Sequence, residues 1–71
     1  MAEDVRAHIT GVVFQIVAGA GSKVGAGDPI LILESMKMEI PVEAPRAGVV
    51  REIRVSEGET VQEGDVVATL D

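Results

Sequence analysis

Seventy-one residues, 46% of them hydrophobic, make one small domain over residues 1–71, long enough for a single core and too rich in Val, Ile and Leu to stay disordered. Twelve acids against six bases give a formal charge of −6, which argues against a nucleic-acid partner, because phosphate contacts select a basic face. The opening Met1-Ala2-Glu3-Asp4 is acidic where a signal peptide is basic, no apolar run reaches membrane-spanning length, and the lack of cysteine fits a reducing compartment, so a cytoplasmic protein without a membrane partner is expected.

Taken in order, the chain repeats itself. Residues 5–34 lie over residues 42–71 at a constant offset of 37 without a gap, and eleven of the thirty positions are identical, among them Gly11 with Gly48, Val12-Val13 with Val49-Val50, Ile16 with Ile53, Gly27-Asp28 with Gly64-Asp65 and Leu33 with Leu70. Each half follows one script: a Gly opens a strand, a turn containing Gly21 or Gly58 follows, then a short strand around Val24 or Val61, a Gly-Asp turn and a final apolar strand. Gly21, Gly27, Gly58 and Gly64 are predicted to need backbone geometry that a side chain resists. In the longer strand the apolar positions Val13, Ile16 and Ala18, like Val50, Ile53 and Val55, step by three and then by two, which strict alternation forbids unless one residue bulges out. The first half reads Ala7-His8-Ile9-Thr10-Gly11 where the second has Ala44-Pro45-Arg46-Ala47-Gly48, so a local change in the first strand is expected.

Neither half can cover its own apolar face, so the fold class expected is all-β, a flattened eight-stranded antiparallel barrel or sandwich of two four-strand halves related by a pseudo-twofold axis. Val13, Ile16, Val24, Leu33, Val50, Ile53, Val61 and Leu70 are its predicted core. Between the halves, Pro29-Ile30-Leu31-Ile32-Leu33 reads as a buried strand and Glu39-Ile40-Pro41-Val42-Glu43 alternates like its returning partner. Lys37 then caps a hairpin whose only counterpart under the repeat is the pair of chain termini, which places the two at opposite ends.

A single exposed lysine is ordinarily a solvated charge, but Lys37 stands at the seam of the duplication between Met36 and Met38. Methionines usually pack in cores; in so tight a turn they point outward, and exposed thioethers suit adaptable contact with partners. Glu34 and Glu39 read as solvated flanks rather than catalysts, and neither a metal cluster nor a nucleophilic triad is visible. His8, without companions at ligand spacing, is read as structural. Phe14 aligns with Arg51 and is expected either as a small surface anchor or as a cover for the barrel edge.

Glu34-Ser35-Met36-Lys37-Met38-Glu39, at the seam of a duplicated eight-strand pattern, closely resembles the biotinyl domains of biotin-dependent carboxylases, and the resemblance covers essentially the whole chain. It looks most like the small free-standing members, and it lacks the inserted thumb of some relatives, since residues 18–23 form only a short turn. The resemblance implies covalent biotin on Lys37, with Glu34, Ser35, Met36, Met38 and Glu39 as recognition residues, no catalytic residue and no metal. It implies a carrier rather than an enzyme: the carboxyl group passes between biotin carboxylase and carboxyltransferase sites after a biotin protein ligase has acylated the lysine, and the domain alone is a monomer. Acylation needs a neutral amine, and an exposed lysine must obtain the base from the ligase. Two other readings stand beside it: a lipoyl domain carrying acyl groups, disfavoured by Met36 and Met38, and an unmodified adaptor module that uses the hairpin only to bind protein.

Overall fold

A computed structural model describes residues 2–71 and contains eight strands: β1 (Glu3–Arg6), β2 (Gly11–Ile16), β3 (Lys23–Val24), β4 (Pro29–Ser35), β5 (Met38–Glu43), β6 (Gly48–Ile53), β7 (Thr60–Val61) and β8 (Val66–Leu70). No helix of the described residues is long and apolar enough to cross a membrane. The strands form two four-stranded sheets, ordered β1-β8-β6-β3 and β5-β4-β2-β7, with every pairing antiparallel. Shifting residue numbers by 37, upward in the first half of the chain and downward in the second, turns one order into the other. The registers follow the same rule: Val13 opposite Leu33 becomes Val50 opposite Leu70, and Gly11 opposite Val61 becomes Gly48 opposite Val24.

The duplication therefore relates the two sheets, but neither sheet is built from one half of the chain. Each takes two strands from the first half and two from the second. The four strands of each half are thus shared between the two sheets, and the physical reason lies in the turns. Gly64 N–H donates to the Ala7 carbonyl and Gly27 N–H to that of Ala44, both at 2.8 Å, so each Gly-Asp turn is tied to the opposite half of the chain. Neither half has a sheet to offer until both are present.

The expected bulge is present at both places. Val13 and Gln15 face consecutive residues of β4 and leave Phe14 as the extra residue, as Val50 and Glu52 leave Arg51 on β6. A second kind of irregularity was not anticipated: β4 shifts register against β5 between Pro29 and Leu31, and β1 shifts against β8 at Val5 and Arg6. It turns both Ile30 and Leu31 inward, and likewise Val67 and Ala68, so the core is larger than the sequence pattern indicated. Six of the eight expected core residues are buried, while Ile16 and Ile53 are only partly so and pack against the cluster from its side. The anticipated change in the first strand is not seen in its pairing, since Ala7 donates to Asp65 as Ala44 donates to Asp28. The side chains of residues 8–10 differ while the backbone connections persist. Gly21, Gly27, Gly58 and Gly64 all have positive φ, between 86° and 94°.

Candidate functional site: the Met36-Lys37 hairpin

β4 and β5 pair from Pro29 opposite Glu43 to Ser35 opposite Met38, which leaves only Met36 and Lys37 outside the ladder. Both have left-handed backbone, with φ of 52° and 65°. Two central residues with positive φ are the mark of a type I′ turn, whose twist matches that of the strands it joins and which ordinarily carries Asn-Gly. A residue with a Cβ costs about 1–2 kcal/mol in this conformation, so the turn is strained at both positions.

Packing below the turn holds it there. Leu31, Leu33 and Val42 are buried in the core, and slipping β4 against β5 by one residue would move this apolar set to the solvent face. On the other side of β4, a Cβ built on Gly11 would lie 2.8 Å from the Glu34 carbonyl oxygen, a distance that real Cβ atoms essentially never show. β2 therefore approaches the base of the hairpin as closely as only glycine permits. From there the chain leads back through β1 to Glu3 opposite Leu70, so the hairpin and the two described chain ends lie at opposite ends of the molecule, whose longest extent is 33 Å. At that far end Arg46 donates to Glu3 and to the Asp71 carbonyl, at 2.8 and 2.9 Å.

All six residues singled out in the sequence come together at this tip. Met36 is 89% exposed and Met38 58%, Lys37, Glu34 and Glu39 are exposed, and Ser35 is half-buried. Ser35 and Met38 form one cross-strand pair; Glu34 and Glu39 form the next, and project from the opposite face because side chains alternate along a strand. Lys37 has no hydrogen-bond or ion-pair partner among the described residues, and neither Glu34 nor Glu39 meets a cation. Among the described residues none is placed to accept a hydrogen bond from the lysine amine. His8 is exposed, and the described residues contain no group of three side chains able to hold a metal ion. The geometry presents an amine outward, to be acted upon.

The strain at Met36 and Lys37 was not legible in the sequence: the strands read there end at Leu33 and resume at Glu39, and only their extension to Ser35 and Met38 leaves the two-residue gap that implies a primed turn. Phe14 is 48% exposed at the bulge of β2, on the outer face of the sheet that carries the hairpin, as one of its two readings had it.

Known proteins match the chain over nearly its whole length. The biotin/lipoyl family described as "Biotin-requiring enzyme" matches residues 1–70. The chain is 50% identical to a protein of Mycobacterium leprae named "Biotinylated protein TB7.3 homolog", over 99% of both chains. Among solved structures, Kluyveromyces lactis urea carboxylase contains a segment that superposes on the whole chain with a TM-score of 0.95 and 38% identity; the match spans 6% of that enzyme. The lipoyl domain of an Azotobacter vinelandii 2-oxoglutarate dehydrogenase complex matches 87% of this chain and 78% of its own length, with a TM-score of 0.72 and 31% identity.

Proposed function

The chain belongs to the biotin/lipoyl domain family of biotin-requiring enzymes, and from that premise we propose that it is a biotin carrier whose attachment point is the Lys37 amine. The observation that carries this reading is the hairpin itself: a register-locked two-residue turn that holds one unpartnered lysine clear of the domain, between two exposed methionines. The free amine fits an amide link to the carboxyl group of biotin. Biotin bound there supplies the carrier chemistry, taking up a carboxyl group in one active site and releasing it in another. The protein's own residues do three things. The β4–β5 ladder fixes the direction in which Lys37 projects, Met36 and Met38 offer adaptable apolar contact on either side, and the acidic pair Glu34 and Glu39 sets the charge at the base of the turn.

In this reading the domain has no catalysis of its own and works in the cytoplasm as a monomer. Its partners are a biotin protein ligase, a biotin carboxylase and a carboxyltransferase. Tethering keeps the carried group at high local concentration at both carboxylase sites. The likeness to a lipoyl domain favours a second reading, in which Lys37 carries a lipoyl group. One experiment separates them. Intact-mass spectrometry after co-expression with biotin protein ligase is expected to give a single increment of one biotinyl group, biotin less the water lost on forming the amide, and none in Lys37→Arg, because a guanidinium stays protonated and is a very poor nucleophile. A lipoyl increment would select the second reading, no increment the unmodified adaptor, and normal labelling of Lys37→Arg would place the acceptor elsewhere.

A further inference from the structure

The twofold relation makes each sheet the control for the other, and their outer faces have diverged. On the β1-β8-β6-β3 sheet the exposed positions include Arg51, Arg54 and Asp4; the matching positions on the hairpin-bearing sheet are Phe14, Val17 and Pro41. Phe14 and Val17 are 48% and 46% exposed, and Val12 beside them is 39% exposed. Charge is divided in the same way. Five of the six side-chain cations, Arg6, Lys23, Arg46, Arg51 and Arg54, lie on or next to strands of the first sheet; the sixth is Lys37. Around the apolar face of the second sheet stand Glu34, Glu39 and Glu43, with Glu57 and Glu59 on the loop that hydrogen-bonds to β2. Glu34 and Glu39 sit directly opposite each other across β4 and β5, an arrangement of like charges that destabilises a sheet.

We propose that this outer face, centred on Phe14, docks the biotin protein ligase, through an apolar patch on the ligase ringed by Lys and Arg side chains. An exposed apolar patch with a polar rim marks a protein-binding surface, and a rim of one sign selects a partner of the other. A second copy of this chain is disfavoured, because it would set the glutamate rim against itself. Continuity with the hairpin identifies the partner. Phe14 lies beside Leu33 and Ile32, about four strand positions from Lys37, or roughly 13 Å. An enzyme seated over the lysine with a footprint of about 800 Å² covers both. The ligase must bring its reacting atom to the lysine nitrogen itself, whereas enzymes that use the attached group meet it at the end of an arm. The inference rests on Lys37 being the biotin acceptor.

The test is steady-state biotin transfer by the purified ligase to the unmodified domain, with folding of each variant verified by circular dichroism. Phe14→Arg/Val17→Arg copies residues that the other half of the chain already carries at the matching positions, so the fold accepts them. Phe14→Ser/Val17→Ser removes the apolar surface without adding charge. Both are expected to raise KM about tenfold and leave kcat within about twofold, the signature of lost docking energy. Wild-type KM is expected to rise with salt, and Arg51→Ala/Arg54→Ala on the opposite face is expected to leave KM within about twofold. Unchanged KM in the Ser variant, or an equal loss from the opposite face, overturns the docking surface while leaving Lys37 as acceptor. No transfer to wild-type Lys37 overturns both.

Discussion

Met36 and Lys37 occupy backbone conformations that side chains with a Cβ resist, and the residues that relieve such strain, Asn and Gly, are absent from the turn. A hairpin serving only to connect β4 to β5 would gain from them. Asn in the first position of the turn tolerates positive φ without the chain entropy that Gly adds to the unfolded state. Met36→Asn is therefore expected to stabilise the domain by about 0.5–1 kcal/mol, measured by urea denaturation, while slowing biotin transfer because one thioether contact is lost. Opposite signs in the two measurements would identify the strain as kept for recognition. Equal or faster transfer would show that Met36 is not read at all.

At the scale of the strand, the two glycines that open β2 and β6 hold equivalent places in the repeat but meet different neighbours. A Cβ on Gly11 collides with the backbone carbonyl of Glu34, whereas one on Gly48 meets the tip of the Arg46 side chain, also at 2.8 Å. A guanidinium can swing aside; a strand in the middle of a sheet cannot. Gly11→Ala is expected to cost about 1–3 kcal/mol by forcing β2 and β4 apart at the base of the hairpin. Gly48→Ala is expected to cost less than about 1 kcal/mol, chiefly through the exposed ion pair between Arg46 and Glu3. Paired thermal melts decide the matter, and equal losses would mean that the close approach of β2 to β4 is not what glycine serves there. The sequence announced the bulges of β2 and β6 through the uneven spacing of Val13, Ile16 and Ala18. It could not announce the register shift of β4 against β5, because every residue from Ile30 to Leu33 is apolar and such a run has no pattern for a bulge to interrupt.

For the whole molecule, the repeat was legible because eleven identities at one offset survive in the chain itself. Which strands share a sheet was not, since β1 pairs with β8 and β2 with β7, partners separated by most of the chain, and no local pattern encodes such a choice. The six-residue tip was legible as a stretch because its residues are consecutive, though not the left-handed backbone at Met36 and Lys37, whereas the apolar face around Phe14 is assembled from β2, β4 and β5 and emerges only when the strands are side by side. Burial depth was misjudged for a related reason. Ile53 repeats the apolar identity of Ile16, yet both stand beyond the bulge, where the strand turns away from the centre, and both remain partly exposed. Leu33, by contrast, is fully buried between the sheets. Leu33→Ala is expected to cost about 3–5 kcal/mol, a large part of the roughly 4–10 kcal/mol that a chain of this length commands. Ile53→Ala, whose side chain leaves less apolar surface to lose, is expected to cost about 1–2 kcal/mol. Urea midpoints of the two variants, at unchanged m-value, test whether the core is centred on β4 and β8 and thins out beyond the bulges. A loss at Ile53 as large as that at Leu33 would contradict that placement.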